Sequence, residues 1–531
     1  MCYLIYEVHI QVILNRLIKT INPGYEGVLV CCYIFKSNPG VMSKNGYMSI
    51  ESLKTALESL MEKMTGTVQK KLPEIEQLHA EQKMSAINLI QYLTLRNEDI
   101  RSLQDELHVF GLSSLTSSES HILRQLQTIL QRLGKNFSPG DISQCDFYKG
   151  RELINFRSKQ LFGTKKDPAI PYLMVTFDSE FVDNSRLVKK LLEAGMNVAR
   201  INCAHDNNEI WKNMIGLVHA AIGKTGIPCK IYMDLGGPKM RTSILGKGRR
   251  KGKVSLSEGQ EIVLAEKDSD YDPSGIVFGC DEKDIIKQVK AGERILFDDG
   301  LIETKVISNH DGLAVLKVLR ISGRKPQLKG KKGINFPDSQ FTLAGLTEND
   351  RIVLPFICEH ADLVGYSFIR HASDLSELQQ ELLQYDKKPK IILKIETSEA
   401  VTNFPSLLIQ GMKEEIFGVM IARGDLAVEI GFERMSEIQE EILWISEAAH
   451  VPVIWATQVL ETLNKSGIAT RSEITDASYA AQSECVMINK GDYVINVMNT
   501  LSDILRRSGG HHEKKRYTFR PMQIASNYVS S

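Results

Sequence analysis

The sequence predicts an α/β protein built on a (β/α)8 TIM barrel, with an inserted small β-barrel domain and an N-terminal helical region. Three observations predict it. From residue 171 onward, eight short apolar, β-branched runs alternate with helix-length amphipathic segments, the rhythm of a parallel sheet covered on its outside. The connection between the third and fourth runs is about 120 residues long and mostly β in pattern, too long for a plain loop in a compact domain. Before residue 160 the apolar residues recur at helical spacing instead.

In the helical region, Leu53, Ala56, Leu57, Leu60, Met61 and Met64 place a helix over 50–64. A second stripe runs from Met84 to Leu107, with Gly111 as a stop. Residues 117–120 offer N-caps for a helix through Leu133, closed by Gly134. These helices carry no chemical motif, so packing and assembly is the role their pattern supports for the extension, 42–165. Residues 1–41 lack the charged start, unbroken apolar core and cleavage site of a signal peptide, and the Arg- and Ser-rich character of a transit peptide. Met42 opens a more ordinary sequence and is a candidate start; 1–41 is set aside as an uncertain segment.

The barrel, 166–243 and 335–508, takes its strands from 172–177, 197–202, 229–235, 363–368, 390–396, 418–424, 452–457 and 484–489. A helix over 184–194, ended by Gly195, typifies the covering layer. The insert, 244–334, contains strand-like runs at 253–256, 261–264, 294–297, 301–307 and 313–319. Asp298-Asp299-Gly300 forms a hairpin turn between two of them. Such an insert is expected to cap the barrel mouth as a lid. The tail, 509–531, carries the run Lys514-Lys515-Arg516, read as a solvated charged segment.

The 65 Lys and Arg balance the 65 Asp and Glu, which leaves no electrostatic footprint for nucleic acid or an anionic membrane. A hydrophobic share of 43% excludes wholesale disorder. The longest apolar stretch near the start, 28–35, is far short of the roughly 20 residues of a membrane span. Nine scattered cysteines, odd in number and without CxxC or zinc spacing, point to a reducing compartment, read as cytoplasm.

Chemistry in such a barrel sits at the C-terminal strand ends. Arg200 and Asn202 end the second strand, Asp234 the third, Lys394 and Glu396 the fifth, Arg423, Gly424 and Asp425 the sixth, Thr457 the seventh and Asn489 the eighth. Lys394 and Glu396 are two apart and share one face. Buried there, each is costly unless paired or ligand-bound. Glu396 and Asp425, on adjacent strands, suit one hard divalent cation. Arg200 and Lys394 add positive charge, giving an anion site for a phosphorylated or carboxylated substrate. Each residue alone has a plainer role: a surface ion pair, a helix cap for Asp425, a turn residue for Thr457. Five on one mouth make the joint plain reading weak.

Several motifs resemble pyruvate kinases in the same order: MNVARIN at 196–202, MDLGGPKMRT at 233–242, SFIR at 367–370, ILKIE at 392–396, MIARGDL at 420–426 and ATQVLE at 456–461. FDDGLI at 297–302 and KKGIN at 331–335 resemble that family's small β domain. The resemblance covers about residues 170–508. It implies that Glu396 and Asp425 hold Mg2+ or Mn2+ with phosphoenolpyruvate. It implies further that Lys394 stabilises the transferring phosphoryl group and the enolate, and that Arg200 binds the phosphate. Thr457 and the backbone amides around Arg423, Gly424 and Asp425 would hold the substrate carboxylate. Asn202, His205, Arg241 and Lys332 match positions near the phosphates of ADP or ATP. A homo-oligomer is the expected assembly.

The departures are specific. After the first strand stands Thr176-Phe177-Asp178-Ser179-Glu180, where the family has a Thr-Ile-Gly-Pro-Ala-Ser loop beside the nucleotide. Asn489 replaces a hydroxyl implicated in proton delivery. No counterpart of the family's C-terminal domain follows, and helices precede the barrel, as in a divergent branch. The family's monovalent site would use Asn202, residue 204, Asp234 and the carbonyl of 235. Residue 204 is Ala, and Lys239 stands where potassium-dependent members have Glu. The expectation is that Lys239 supplies the charge and K+ is not required. Three readings remain open: an active pyruvate kinase, a metal-dependent carbon–carbon lyase on pyruvate-like substrates, and a catalytically silent regulatory subunit.

Overall fold

The computed structural model describes residues 48–510 apart from 183, 267–268, 323–326, 340 and 342, and the backbone of 512–513 and 516–517. The segment 1–41 and most of the expected tail lie outside the described residues; of that tail, His512–Glu513 pairs with Arg516–Tyr517. Among the described residues no helix is long and apolar enough to cross a membrane.

The chain divides into two units, Met1–Leu53 and Lys54–Ser531. Of the first, residues 48–53 are described. They open helix α1 (Ile50–Glu76), where the Ser52 amide donates to Ser49 Oγ at 3.2 Å. α1 outruns the expected 50–64 because Val68 and Ile75 continue its buried stripe.

In the second unit, the stripe 84–107 proves to be two helices, α2 (Lys83–Arg96) and α3 (Arg101–Val109). The break falls at Asp99, whose Oδ1 accepts from the Arg101 amide at 3.2 Å, a local bond that competes with the helix ladder. α4 (Ile122–Arg132) ends before Gly134 at φ +85°, but no serine side chain caps its start. Ser118 instead donates to the Leu115 carbonyl, and Ser120 bonds the His121 ring. α5 (Phe147–Phe162) is capped by Asp146, which accepts from the Lys149 amide at 2.8 Å.

The barrel is closed and wholly parallel. It comprises β1 (Tyr172–Phe177), β2 (Met196–Asn202) and β3 (Lys230–Asp234). After the insert it continues with β13 (Leu363–Tyr366), β14 (Lys390–Ile395), β15 (Gly418–Ala422), β16 (Val453–Ala456) and β17 (Cys485–Ile488). Consecutive strands are neighbours, and β17 closes on β1. Nearly every strand residue is buried, which is why these runs read as continuous apolar stretches rather than alternating ones. Leu161 and Phe162, at the end of α5, pack with Tyr172, Met174, Ile392 and Met487 inside one end of the barrel.

The insert strands are β4 (Thr242–Ile244), β5 (Lys253–Ser255), β6 (Glu261–Ala265), β7 (Val277–Cys280), β8 (Arg294–Phe297), β9 (Ile302–His310), β10 (Leu313–Ile321), β11 (Gln327–Lys329) and β12 (Ile334–Asn335). Seven form one sheet in the order β12-β8-β9-β10-β6-β7-β4, and β5 pairs with β11. Their core gathers Leu264, Phe278, Ile295, Phe297, Leu316 and Leu328. Asp298, Asp299 and Gly300 turn between β8 and β9, all at positive φ. The sequence pattern missed β4, β7, β11 and β12, which are two to four residues long.

Buried polar groups tie α2, the turn before α4 and α5 to the barrel. Asn88 donates to the carbonyls of Glu119 and Ala448, both at 2.8 Å. Arg157 donates to the carbonyls of His450 at 2.9 Å and Glu81 at 2.8 Å. The fully buried His450 ring bonds the Ser120 carbonyl through Nε2 (2.8 Å) and Ser85 Oγ through Nδ1 (3.0 Å). Burial pushes its pKa down to about 3. The folded protein therefore refuses a proton that the unfolded chain takes up below about pH 6.5. Chemical denaturation should show this histidine costing about 1.4 kcal/mol of stability per pH unit between about pH 6 and 4. His450→Gln should flatten that part of the profile; an unchanged slope would contradict the assignment.

Candidate active site

Asp234 ends β3 with no exposure at all. Its Oδ2 accepts from Arg200 Nε (2.7 Å) and lies 2.5 Å from Nη2. Its Oδ1 accepts from Tyr232 Oη at 2.5 Å and lies 3.7 Å from Lys394 Nζ. Tyr232 and Asp234 are two apart on one strand and so point to the same interior, as do Lys394 and Glu396 across the end of β14. Arg200 also donates to Thr176 Oγ1 at 2.9 Å, and Lys394 to Ser367 Oγ at 2.6 Å. Burial opposes the charge on Arg200, Asp234 and Lys394, but their mutual attraction outweighs it, so all three stay ionised.

Gly365 explains how such side chains fit. A Cβ there would stand 2.0 Å from both Asp234 Oδ1 and Tyr232 Oη.

Glu396 lies 3.0 Å from Lys394 and accepts from the Phe368 amide at 2.6 Å. Phe368 adopts φ +56° to aim that amide. Burial pushes the Glu396 carboxyl upward; Lys394 opposes this and Asp425 adds to it. Asp425 is thus near enough to repel the Glu396 carboxylate, a repulsion that a bound cation would relieve. Among the described residues no group of three or more His, Cys, Asp or Glu gathers for a metal. The pair therefore fits a hard dication that takes its remaining ligands from water or substrate.

Lys239 departs from expectation. Its ammonium does not join Asn202 and Asp234. It lies 2.6 Å from Asp425 Oδ1 and 3.9 Å from Asp299 Oδ1. Asn202 Oδ1 instead accepts from the Ala204 amide at 3.1 Å. The reason is local: the Gly236 and Gly237 amides donate to Asp350 Oδ1, and Gly237 turns at φ +65°.

Thr457, at φ +65°, presents Oγ1 to the Gly424 amide at 2.7 Å. Gly424 belongs to the first turn of the helix Arg423–Ile430, where backbone amides lack intrahelical partners. The Arg423 side chain itself is engaged behind the helix. Its guanidinium donates to the carbonyls of Ala456 (3.0 Å) and Thr457 (2.6 Å), pairs with Asp476 at 2.5 Å and lies over Trp455. It braces the end of β16, leaving only its backbone for a ligand.

Of the residues matched to nucleotide positions, His205 is held low by burial and by Arg241, Lys490 and Arg200 around it. Lys332 pairs with Asp298 inside the insert at 2.8 Å. Arg241 bonds Asp281 through its amide at 2.6 Å. The altered strand ends meet each other: Lys490, after β17, pairs with Asp178, after β1, at 2.7 Å. Asn489 donates to Glu461 at 3.0 Å.

Sequence reasoning missed Tyr232, Ser367, Gly365, Lys490 and Glu429. Tyr232 was detectable as the residue two before Asp234. Glu429, three-quarters of a turn past Leu426 on the helix carrying Asp425, accepts from Asn335 at 2.8 Å; burial pushes it up to about 7.

A parallel barrel that buries carboxylates and cations together at its mouth belongs to the class of (β/α)8 proteins suited to a small, highly charged anion. Residues 175–496 match the family described as pyruvate kinase, barrel domain. The chain belongs to the pyruvate kinase family. It is 34% identical over 330 residues to the pyruvate kinase of Dictyostelium discoideum, covering 60% of this chain and 62% of that one. It is 34% identical over 346 residues to that of Geobacillus stearothermophilus (62% and 55%). With that of Bacillus licheniformis it shares 32% over 352 residues (64% and 58%). The chain thus spans less than two thirds of the length of these relatives.

Gly365→Ala should displace Asp234 or Tyr232 and cost about 3 kcal/mol of stability. A urea melt that shows less than a third of that loss would contradict the packing described.

Proposed function

We propose that the chain transfers the phosphoryl group of phosphoenolpyruvate to ADP, giving pyruvate and ATP. The observation that carries this reading is Lys394. Its ammonium is buried at the barrel mouth between Asp234 and Glu396, with Arg200 on the far side of Asp234. Phosphoryl transfer asks a protein for positioning and charge neutralisation rather than covalent chemistry.

In this reading Arg200 binds the phosphate. Asp234 and Thr176 fix the guanidinium, so little reorganisation is needed when substrate arrives. Lys394 neutralises charge on the transferring group and on the enolate left behind, and Ser367 and Glu396 set its direction. Thr457 and the first-turn amides of Arg423–Ile430 receive the carboxylate. His205, Arg241, Lys332 and Asn202 line the nucleotide side. Glu396 and Asp425 would hold Mg2+ or Mn2+, which supplies charge neutralisation for the phosphate oxygens when bound. The reading carries a cytoplasmic homo-oligomer as its setting; the six described cysteines, all free thiols, fit a reducing compartment.

We also propose that K+ is dispensable, by a route other than the one the sequence implied. Both oxygens of Asp234 are engaged by Arg200 and Tyr232 with Lys394 nearby, and Asn202 is engaged by its own loop. With the charge of Asp234 already neutralised by Arg200 and Lys394, the pair offers a monovalent cation little attraction.

A coupled pyruvate assay on the protein alone, with Mg2+, phosphoenolpyruvate and ADP, tests the assignment. Phosphoenolpyruvate binding without turnover would mark a silent subunit instead. Lys394→Met should lower turnover by about a hundred- to a thousandfold while phosphoenolpyruvate binding changes far less. Near-normal turnover in that variant would reject the role given to Lys394. Rates in potassium chloride and tetramethylammonium chloride at matched ionic strength should agree within about twofold; strong activation by potassium would reject the second proposal.

A further inference from the structure

Lys239 stands on the segment that leads from β3 into the insert, between two carboxylates of different kinds. On one side is Asp425, at 2.6 Å, on the barrel helix Arg423–Ile430; on the other is Asp299, at 3.9 Å, on the insert hairpin. Its stem runs beside the insert: a Cβ on Gly333 would come within 3.2 Å of Lys239 Cε, and the Phe368 ring lies 5.7 Å from the ammonium. Asp350 pins the turn at Gly236 and Gly237 from which it rises. Asp299 is two-thirds exposed, so its carboxylate is open to receive a partner.

We infer that Lys239 is a tethered competitor for the divalent cation: its ammonium neutralises Asp425 until a cation binds, then passes to Asp299 on the insert. This rests on reading Glu396 and Asp425 as the cation pair. An ammonium and a dication cannot share one carboxylate oxygen at bonding distance without strong like-charge repulsion. The ammonium is a compact charge on a flexible stem, and its second acceptor is already only 3.9 Å away. The exchange preserves the ion-pair count while moving one pair from the barrel to the insert hairpin. Cation binding and the hold of the hairpin on the mouth are thereby linked. The return strand does not take part, because Asn335 is separately bonded to Glu429.

The test is Mn2+ binding to the full chain without substrate, read as loss of the free-ion electron paramagnetic resonance signal. Lys239→Met should tighten Mn2+ binding about five- to tenfold, because Asp425 no longer has to be vacated. Asp299→Asn should weaken it severalfold, because the displaced ammonium loses its landing site. In the Lys239→Met background, Asp299→Asn should have no further effect; that non-additivity separates the exchange from general charge effects. Lys332→Met removes an insert lysine that pairs with Asp298 rather than Asp425, and it should leave the affinity within about twofold. Equal affinities in wild type and Lys239→Met, or additive effects of the two substitutions, would overturn the inference while leaving the cation pair intact. Failure of both wild type and Lys239→Met to bind Mn2+, with Glu396→Gln no different, would reject the cation pair itself.

Discussion

The mouth of this barrel depends on one buried carboxylate. Asp234 has no contact with solvent, and its burial would be prohibitive alone. Arg200, Tyr232 and Lys394 converge on it, each from a different position on three strands. That convergence keeps an arginine and a lysine charged and oriented with little solvent around them. It also dictates a glycine: Gly365 must lack a side chain because Asp234 and Tyr232 occupy the space where one would be.

A second dependence runs through the helix Arg423–Ile430. Four of its eight residues meet different parts of the molecule. Gly424 bonds Thr457 at the end of β16, and Asp425 pairs with Lys239 on the way into the insert. Val428 approaches Gly300 at the hairpin tip, and Glu429 accepts from Asn335 on the way out. The insert is thus docked on the element that also carries Asp425 and the Gly424 amide at the end of β15. Arg423 stabilises this helix start from behind, through the carbonyls of β16 and the ring of Trp455.

The helices before the barrel are bound to it by polar groups as much as by apolar ones. Asn88, Arg157 and His450 are buried, and their partners are mostly backbone carbonyls. Such bonds are costly to leave unmade, so they specify one docking geometry. Leu161 and Phe162 add an apolar plug at one end of the barrel. The extension is therefore part of the barrel's own packing, and no chemical motif was needed to explain its presence.

The amino-acid sequence by itself determined the barrel, the place of the insert and most residues at the mouth. Eight runs buried on both faces leave an unmistakable apolar pattern, and side chains two apart on a strand must share a face, which placed Lys394 with Glu396. The sequence pattern also reached β5, β6, β8, β9 and β10 of the insert but not β4, β7, β11 and β12, which are two to four residues long. Only the tertiary structure decided which charges pair. Lys239 and Asp425 are 186 positions apart, and the turn at Gly236 and Gly237, anchored by Asp350, sends the lysine to Asp425 rather than to Asp234. The Arg423 side chain, whose partners no local pattern specified, braces a neighbouring strand through the carbonyls of Ala456 and Thr457. Residue type and local spacing tell which groups carry charge and which face they occupy; the partner of a long, flexible side chain is set by backbone turns contributed from distant segments.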